Sequence, residues 1–143
     1  MTNQQPVACP KKILVVDDNE VIRKAVSLKL KASGYEAFTA ADGSAVVKVV
    51  DKEKLDLILL DILFPPDATE GGMSWDGLVI MRWLRNMSGA KDVPIIIISG
   101  TEPAKYEPCL AAGARAFLHK PLDMDELIAV VRAVLGENYP QTA

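Results

Sequence analysis

Short aliphatic runs alternate along the chain with stretches whose apolar residues recur every three or four positions. Residues 11–17 (KKILVVD) have the Ile and Val content of a strand buried on both faces. Residues 56–61 (DLILLD) and 94–99 (PIIIIS) repeat that pattern, and residues 35–39 and 114–118 supply two further strands. Between the first two strands, Ile22, Ala25, Val26 and Leu30 fall at helical spacing, with Asn19 as the cap and Ser33-Gly34 as the stop. Ala45, Val46, Val49 and Val50 form a second helical stripe, and residues 77–87 a third helix. Leu127, Ile128, Val131, Val134 and Leu135 make the cleanest amphipathic face and close the pattern, which reads as five βα units.

Strands alternating with helices in so short a chain predict an α/β fold: a single-domain, doubly wound parallel sheet of five strands with helices on both faces. Parallel neighbours need long crossover connections, and those helices provide them. At 143 residues the chain fits one domain, and an apolar content of 50% lets that domain bury a core. Residues 1–10 read as a flexible N-terminal tail, 11–136 as the folded domain and 137–143 as a short C-terminal tail. In sheets of this kind ligands bind beyond the carboxyl ends of the strands, where the strand order reverses.

The net charge of −3 comes from 19 acids and 16 bases scattered in both signs, so no basic stripe points to nucleic acid. The apolar runs are far below membrane-spanning length, and the polar start has none of the regions of a secretory signal. Cys9 and Cys109 build no disulfide framework. A cytoplasmic protein is expected, with no direct nucleic-acid or membrane partner.

Asp17 and Asp18 end the first strand, Asp61 the third and Ser99 the fourth, while Lys120 follows the fifth, so the topology brings all five to one rim. Three carboxylates gathered there repel one another unless a cation lies between them or some take up protons. Oxygen ligands, with His119 as the lone histidine, favour Mg2+, or Mn2+ as the alternative, over zinc. One carboxylate can then act as nucleophile on a phosphoryl group, with Ser99 and Lys120 binding the oxygens that gather charge. Taken singly these residues have plainer readings: Asp17-Asp18 as acids at a helix start, Ser99-Gly100 as a turn, Lys120 as a solvated surface residue. Their order along the chain favours the chemical reading. A Ser99–His119 hydrolase pair lacks a Gly-x-Ser-x-Gly elbow and a group to orient the imidazole.

The motifs ILVVDDN, DLILLDI with Pro65, the later Asp76-Gly77, IIIISG and GARAFLHKP, taken in this order, resemble the receiver domains of two-component response regulators. The resemblance covers nearly all of residues 11–135. It implies a flavodoxin-like sheet order of 2-1-3-4-5, phosphorylation of Asp61, and Mg2+ held by Asp18, Asp61 and the Leu63 backbone carbonyl, with Asp17 acting partly through water. It further implies that Ser99 and Phe117 switch on phosphorylation and alter the face made by strand five and the helices before and after it. The phosphodonor would be a sensor histidine kinase or a phosphotransfer protein, and a downstream protein would read the altered face. The Lys120-Pro121 peptide is expected to be cis.

The chain departs from that pattern in three places. Residues 66–75 (PDATEGGMSW) lengthen the link after Pro65, and Pro108 interrupts the helix that Pro103 would start. Leu63 and Thr101 stand where the family governs water access to the aspartyl phosphate, and neither is a carboxylate or amide, so slow self-dephosphorylation is expected. The rival readings are a phosphorylation-independent pseudo-receiver, a magnesium-dependent phosphatase of small molecules, and a fragment of a longer regulator.

Overall fold

The computed structural model describes residues 10–61, 77–100 and 113–136. Strands β1 (Lys12–Val16), β2 (Glu36–Ala40), β3 (Leu57–Asp61), β4 (Ile95–Ser99) and β5 (Ala116–His119) form one sheet in the order β2-β1-β3-β4-β5. Every pairing is parallel, with Val16 opposite both Ala40 and Leu60, Asp61 opposite Ile98, and Ser99 opposite His119. The central strands β3 and β4 are buried along their whole length, which explains why LILLD and IIIIS read as unbroken aliphatic runs rather than alternating ones.

Among the described residues, four helices pack on the sheet: α1 (Glu20–Ala32), α2 (Gly43–Lys52), α3 (Gly77–Arg85) and α4 (Met124–Val134). Three of them open on a side-chain oxygen that accepts from free amides of the first turn. Asn19 caps Val21 and Ile22, Asp42 caps Ala45, and Asp123 caps Asp125 and Glu126. Helix α1 stops at Ser33, and Gly34 follows at φ 98°, where a Cβ would be strained.

Alternation along the strands splits the interior in two. Leu14, Val16, Ile58, Leu60, Ile95 and Ile97 pack with Val46 and Val50 of α2 and with Ile80, Met81 and Leu84 of α3. Ile13, Val15, Leu57, Leu59, Ile96 and Ile98 face the other way, onto Val26 and Leu30 of α1 and Leu127, Ile128 and Val131 of α4.

Element bounds differ from the sequence expectations at a few ends. The fifth strand begins at Ala116 rather than 114, because Ala114 is buried by packing and the ladder starts only where Ile96 meets Ala116. Helix α3 stops at Arg85 rather than 87, since the amides of Asn86 and Met87 turn to carbonyls three residues back, Trp83 and Leu84, and tighten the last turn. Residues 1–9 and 137–143 of the tails, the loop at residues 66–75, Leu63, Pro65, Asp76, Thr101, Pro103, Pro108 and Cys109 lie outside the described residues. Among the described residues, no helix is long and apolar enough to cross a membrane.

Candidate acidic site at the strand ends

Asp17 directly follows β1 and Asp61 ends the neighbouring β3, so pairing of those two strands sets both carboxyls at the same edge. Asp17 is 1% and Asp61 4% exposed, whereas Asp18 faces solvent. Each of the three offers an oxygen within 4.8 Å of the other two. Asp17 is held from several directions. Its Oδ1 accepts from the Asn19 amide at 2.9 Å, its carbonyl from Arg23 Nη1 at 2.8 Å, and its own amide donates to the Ala40 carbonyl at 3.2 Å.

Lys120 comes to this edge from the end of β5, its amide donating to the Ser99 carbonyl at 3.0 Å. Its Nζ stands 3.0 Å from Asp17 Oδ2 and 3.3 Å from Asp61 Oδ2. Burial works to lower the pKa of this ammonium, but the contact with Asp17 and the charges of Asp61 and Asp17 outweigh it, and the net direction is upward. Lys120 is therefore a fixed positive charge at physiological pH. The peptide bond from Lys120 to Pro121 is cis.

Ser99, fully buried, ends β4 one residue beyond the partner of Asp61. Phe117 is half-buried and packs on the core beneath α2 and α3, and His119 is exposed. The Leu63 carbonyl lies outside the described residues. Two groups that hold the site have no periodic signal in the sequence: the Asn19 amide and the Arg23 guanidinium. The only hint is proximity, since both lie within the short turn and first helical residues after the Asp pair.

The donor set suits a hard divalent cation. Asp17 Oδ2 is buried without a directed hydrogen bond, and the ammonium beside it lies close but off the hydrogen-bonding direction. Fully ionised, three carboxylates against one ammonium leave two negative charges uncompensated. Each acid pair at this spacing would repel by about 3 to 4 kcal/mol at an effective dielectric constant of about 20. An all-oxygen site with one exposed member that keeps access to water matches Mg2+ better than a closed cage.

A parallel sheet whose order reverses between β1 and β3, with acids at that reversal, defines the doubly wound class that binds ligands at the strand ends. Within that class, residues 13–132 match the model of the response regulator receiver domain, and the chain belongs to that family. Receiver domains are the phosphoacceptor switches of two-component systems. They receive phosphoryl groups from histidine kinases and bind Mg2+ at an acidic pocket. The chain is similar to response regulator MprA of Mycolicibacterium vanbaalenii, 32% identical over 132 residues, covering 92% of this chain and 53% of the relative. It thus spans about half the length of the curated relatives it matches. Chemotaxis response regulator CheY4 of Vibrio cholerae superposes with a TM-score of 0.76 at 32% identity, over 87% of this chain and 98% of that one. The receiver domain of sensor histidine kinase PA1611 from Pseudomonas aeruginosa PAO1, solved with a magnesium ion coordinated in its active site cleft, gives a TM-score of 0.75 at 29% identity. That match covers 89% of this chain and 98% of the other.

Proposed function

We propose that this chain is a phosphorylation switch whose acceptor is Asp61. The observation that carries the reading is the meeting of Asp17, Asp18, Asp61 and Lys120 at one edge of the sheet. An Asp61 carboxylate oxygen attacks the phosphorus of a phosphorylated donor. A new P–O bond forms as the bond from phosphorus to the donor's leaving atom breaks, and the electron pair departs with the donor. When bound, Mg2+ or its alternative Mn2+ supplies charge neutralisation at the phosphoryl oxygens, and Asp17, Asp18, Asp61 and the Leu63 carbonyl would hold it. Lys120, already beside Asp61, provides a second positive charge to those oxygens. The Ser99 hydroxyl donates a hydrogen bond to them, and this movement together with a rotation of Phe117 alters the face around β5. The catalytic work is positioning and electrostatics, and the acceptor keeps the phosphoryl group that it receives rather than turning over substrate.

The donor is a sensor histidine kinase or a phosphotransfer protein in the cytoplasm, and an unidentified protein reads the altered face. With Leu63 offering no polar group to orient water, the acyl phosphate is long-lived. Replacing Leu63 by Asn should shorten its lifetime, and an unchanged lifetime would remove that part of the reading.

The deciding experiment is the intact mass of wild type and Asp61→Asn after incubation with Mg2+ and acetyl phosphate, with a chelator control. Wild type alone should gain one phosphoryl group, and only with the metal. Equal gain by Asp61→Asn would mean another nucleophile. No gain with several donors would leave a phosphorylation-independent interaction module.

A further inference from the structure

The Arg23 side chain folds back over the start of α1 to the Asp17 carbonyl, at 2.8 Å from Nη1. That carbonyl belongs to the planar peptide unit that joins Asp17 to Asp18, so fixing its direction fixes the orientation from which both carboxyl side chains leave the backbone. The Arg23 amide itself donates to the Asn19 carbonyl at 3.0 Å, and the Asn19 amide donates to Asp17 Oδ1 at 2.9 Å. Asp17, Asn19 and Arg23 therefore close a hydrogen-bonded ring around the turn that bears both acids.

Two electrostatic arguments run against an arginine in this place. The N-terminal end of a helix is electropositive and favours anions. A guanidinium close to a divalent-cation site also repels the ion. Charge alone would select a neutral or acidic residue, and the directed bond to the carbonyl is what the position gains in return. Arg23 lies on the wall of an open groove of about 550 Å³ between α1 and the end of β2. Shortening its side chain thus opens onto water and leaves no void in the core.

We propose that Arg23 is a positioning residue of the acidic site, setting the Asp17–Asp18 peptide so that both carboxylates reach one cation. The inference rests on the cation-site reading above and adds a residue to it.

The test is the Mg2+ dissociation constant by titration calorimetry, with thermal midpoints in chelator and in saturating Mg2+, for wild type, Arg23→Met and Lys24→Met. Lys24 is the neighbouring exposed base, 3.8 Å from Glu20, and serves as the control for charge loss. Loss of an outer partner of a metal ligand costs about tenfold in affinity, whereas loss of a positive charge alone would tighten binding. Arg23→Met should bind Mg2+ about tenfold more weakly and lose more thermal midpoint with the ion than without it, while Lys24→Met should stay close to wild type. Equal or tighter binding by Arg23→Met overturns the proposal, as do equal midpoint losses with and without the ion, or the same weakening in Lys24→Met. If Arg23→Met does not fold, Arg23→Gln is read by the same criteria, its shorter amide removing both the charge and the reach. A wild type that binds no Mg2+ would instead sink the cation site itself.

Discussion

Lys120 Nζ and Asp17 Oδ2 meet at 3.0 Å, so the end of β5 is tied to the end of β1 across the mouth of two intervening strands. The pair is well shielded, with the lysine side chain 23% and the aspartate side chain 1% exposed. Removing the ammonium leaves buried carboxylates without their counter-charge. In chelator near neutral pH, Lys120→Met should lose about 1 to 3 kcal/mol of unfolding free energy. The pKa of Lys120 is raised in the fold, so its contribution is complete below the ordinary lysine value of 10.5 and fades as pH climbs through the higher folded value. Denaturation curves of wild type and variant should therefore converge above that value. A gap of constant size up to strongly alkaline pH would show that the ammonium charge is not what stabilises.

Magnesium should raise the stability of wild type by linkage, by about 2.7 kcal/mol at one hundred times its dissociation constant. Asp18→Ala should abolish most of that gain while raising stability in chelator, because without the ion it removes the repulsion of a third carboxylate against Asp17 and Asp61. Differential scanning fluorimetry with and without Mg2+ reads both numbers. Full magnesium stabilisation in the variant would remove Asp18 from the site.

Asn19 serves the helix with its side chain, accepting from Val21 at 2.9 Å and Ile22 at 3.2 Å, and serves the site with its amide. Asn19→Ala should cost about 1 kcal/mol in urea unfolding, and Asn19→Asp close to nothing, since it keeps the capping oxygen. An equal loss in both variants would mean that the cap is not the origin of the effect.

Ile97 is fully buried at the centre of β4, between Leu60 and Phe117 in register. Ile97→Ala should cost about 2 to 5 kcal/mol, measured by chemical denaturation. A cost below about 1 kcal/mol would mean that neighbouring side chains collapse into the space.

The strands were legible because residues buried on two faces leave little choice but Ile, Val and Leu, and IIIIS and LILLD announce themselves. Asn19 and Ser33-Gly34 marked the ends of α1 through local chemistry alone. Ser27 did not show itself: a polar residue on the buried face of α1 breaks the stripe that apolar spacing detects. The acids and Lys120 were legible through their order at the strand ends. Arg23 was not, because a side chain reaching back to a carbonyl six positions earlier follows no period and looks like any solvated base. The start of the fifth strand was misjudged for a related reason: Ala114 is apolar and buried, but hydrogen-bond pairing rather than burial defines a strand.

The sheet is a wall one residue thick with a separate hydrophobic interior on each side, and neighbouring strand positions belong to different interiors. Changes at Leu14, Leu60 or Ile97 are felt by α2 and α3, and changes at Val15, Leu59 or Ile96 by α1 and α4. Natural variation can therefore remodel the layer that carries Phe117 while the layer under α1, which anchors the Asp17 turn, keeps its packing. The two interiors can therefore be repacked one at a time, each without disturbing the other.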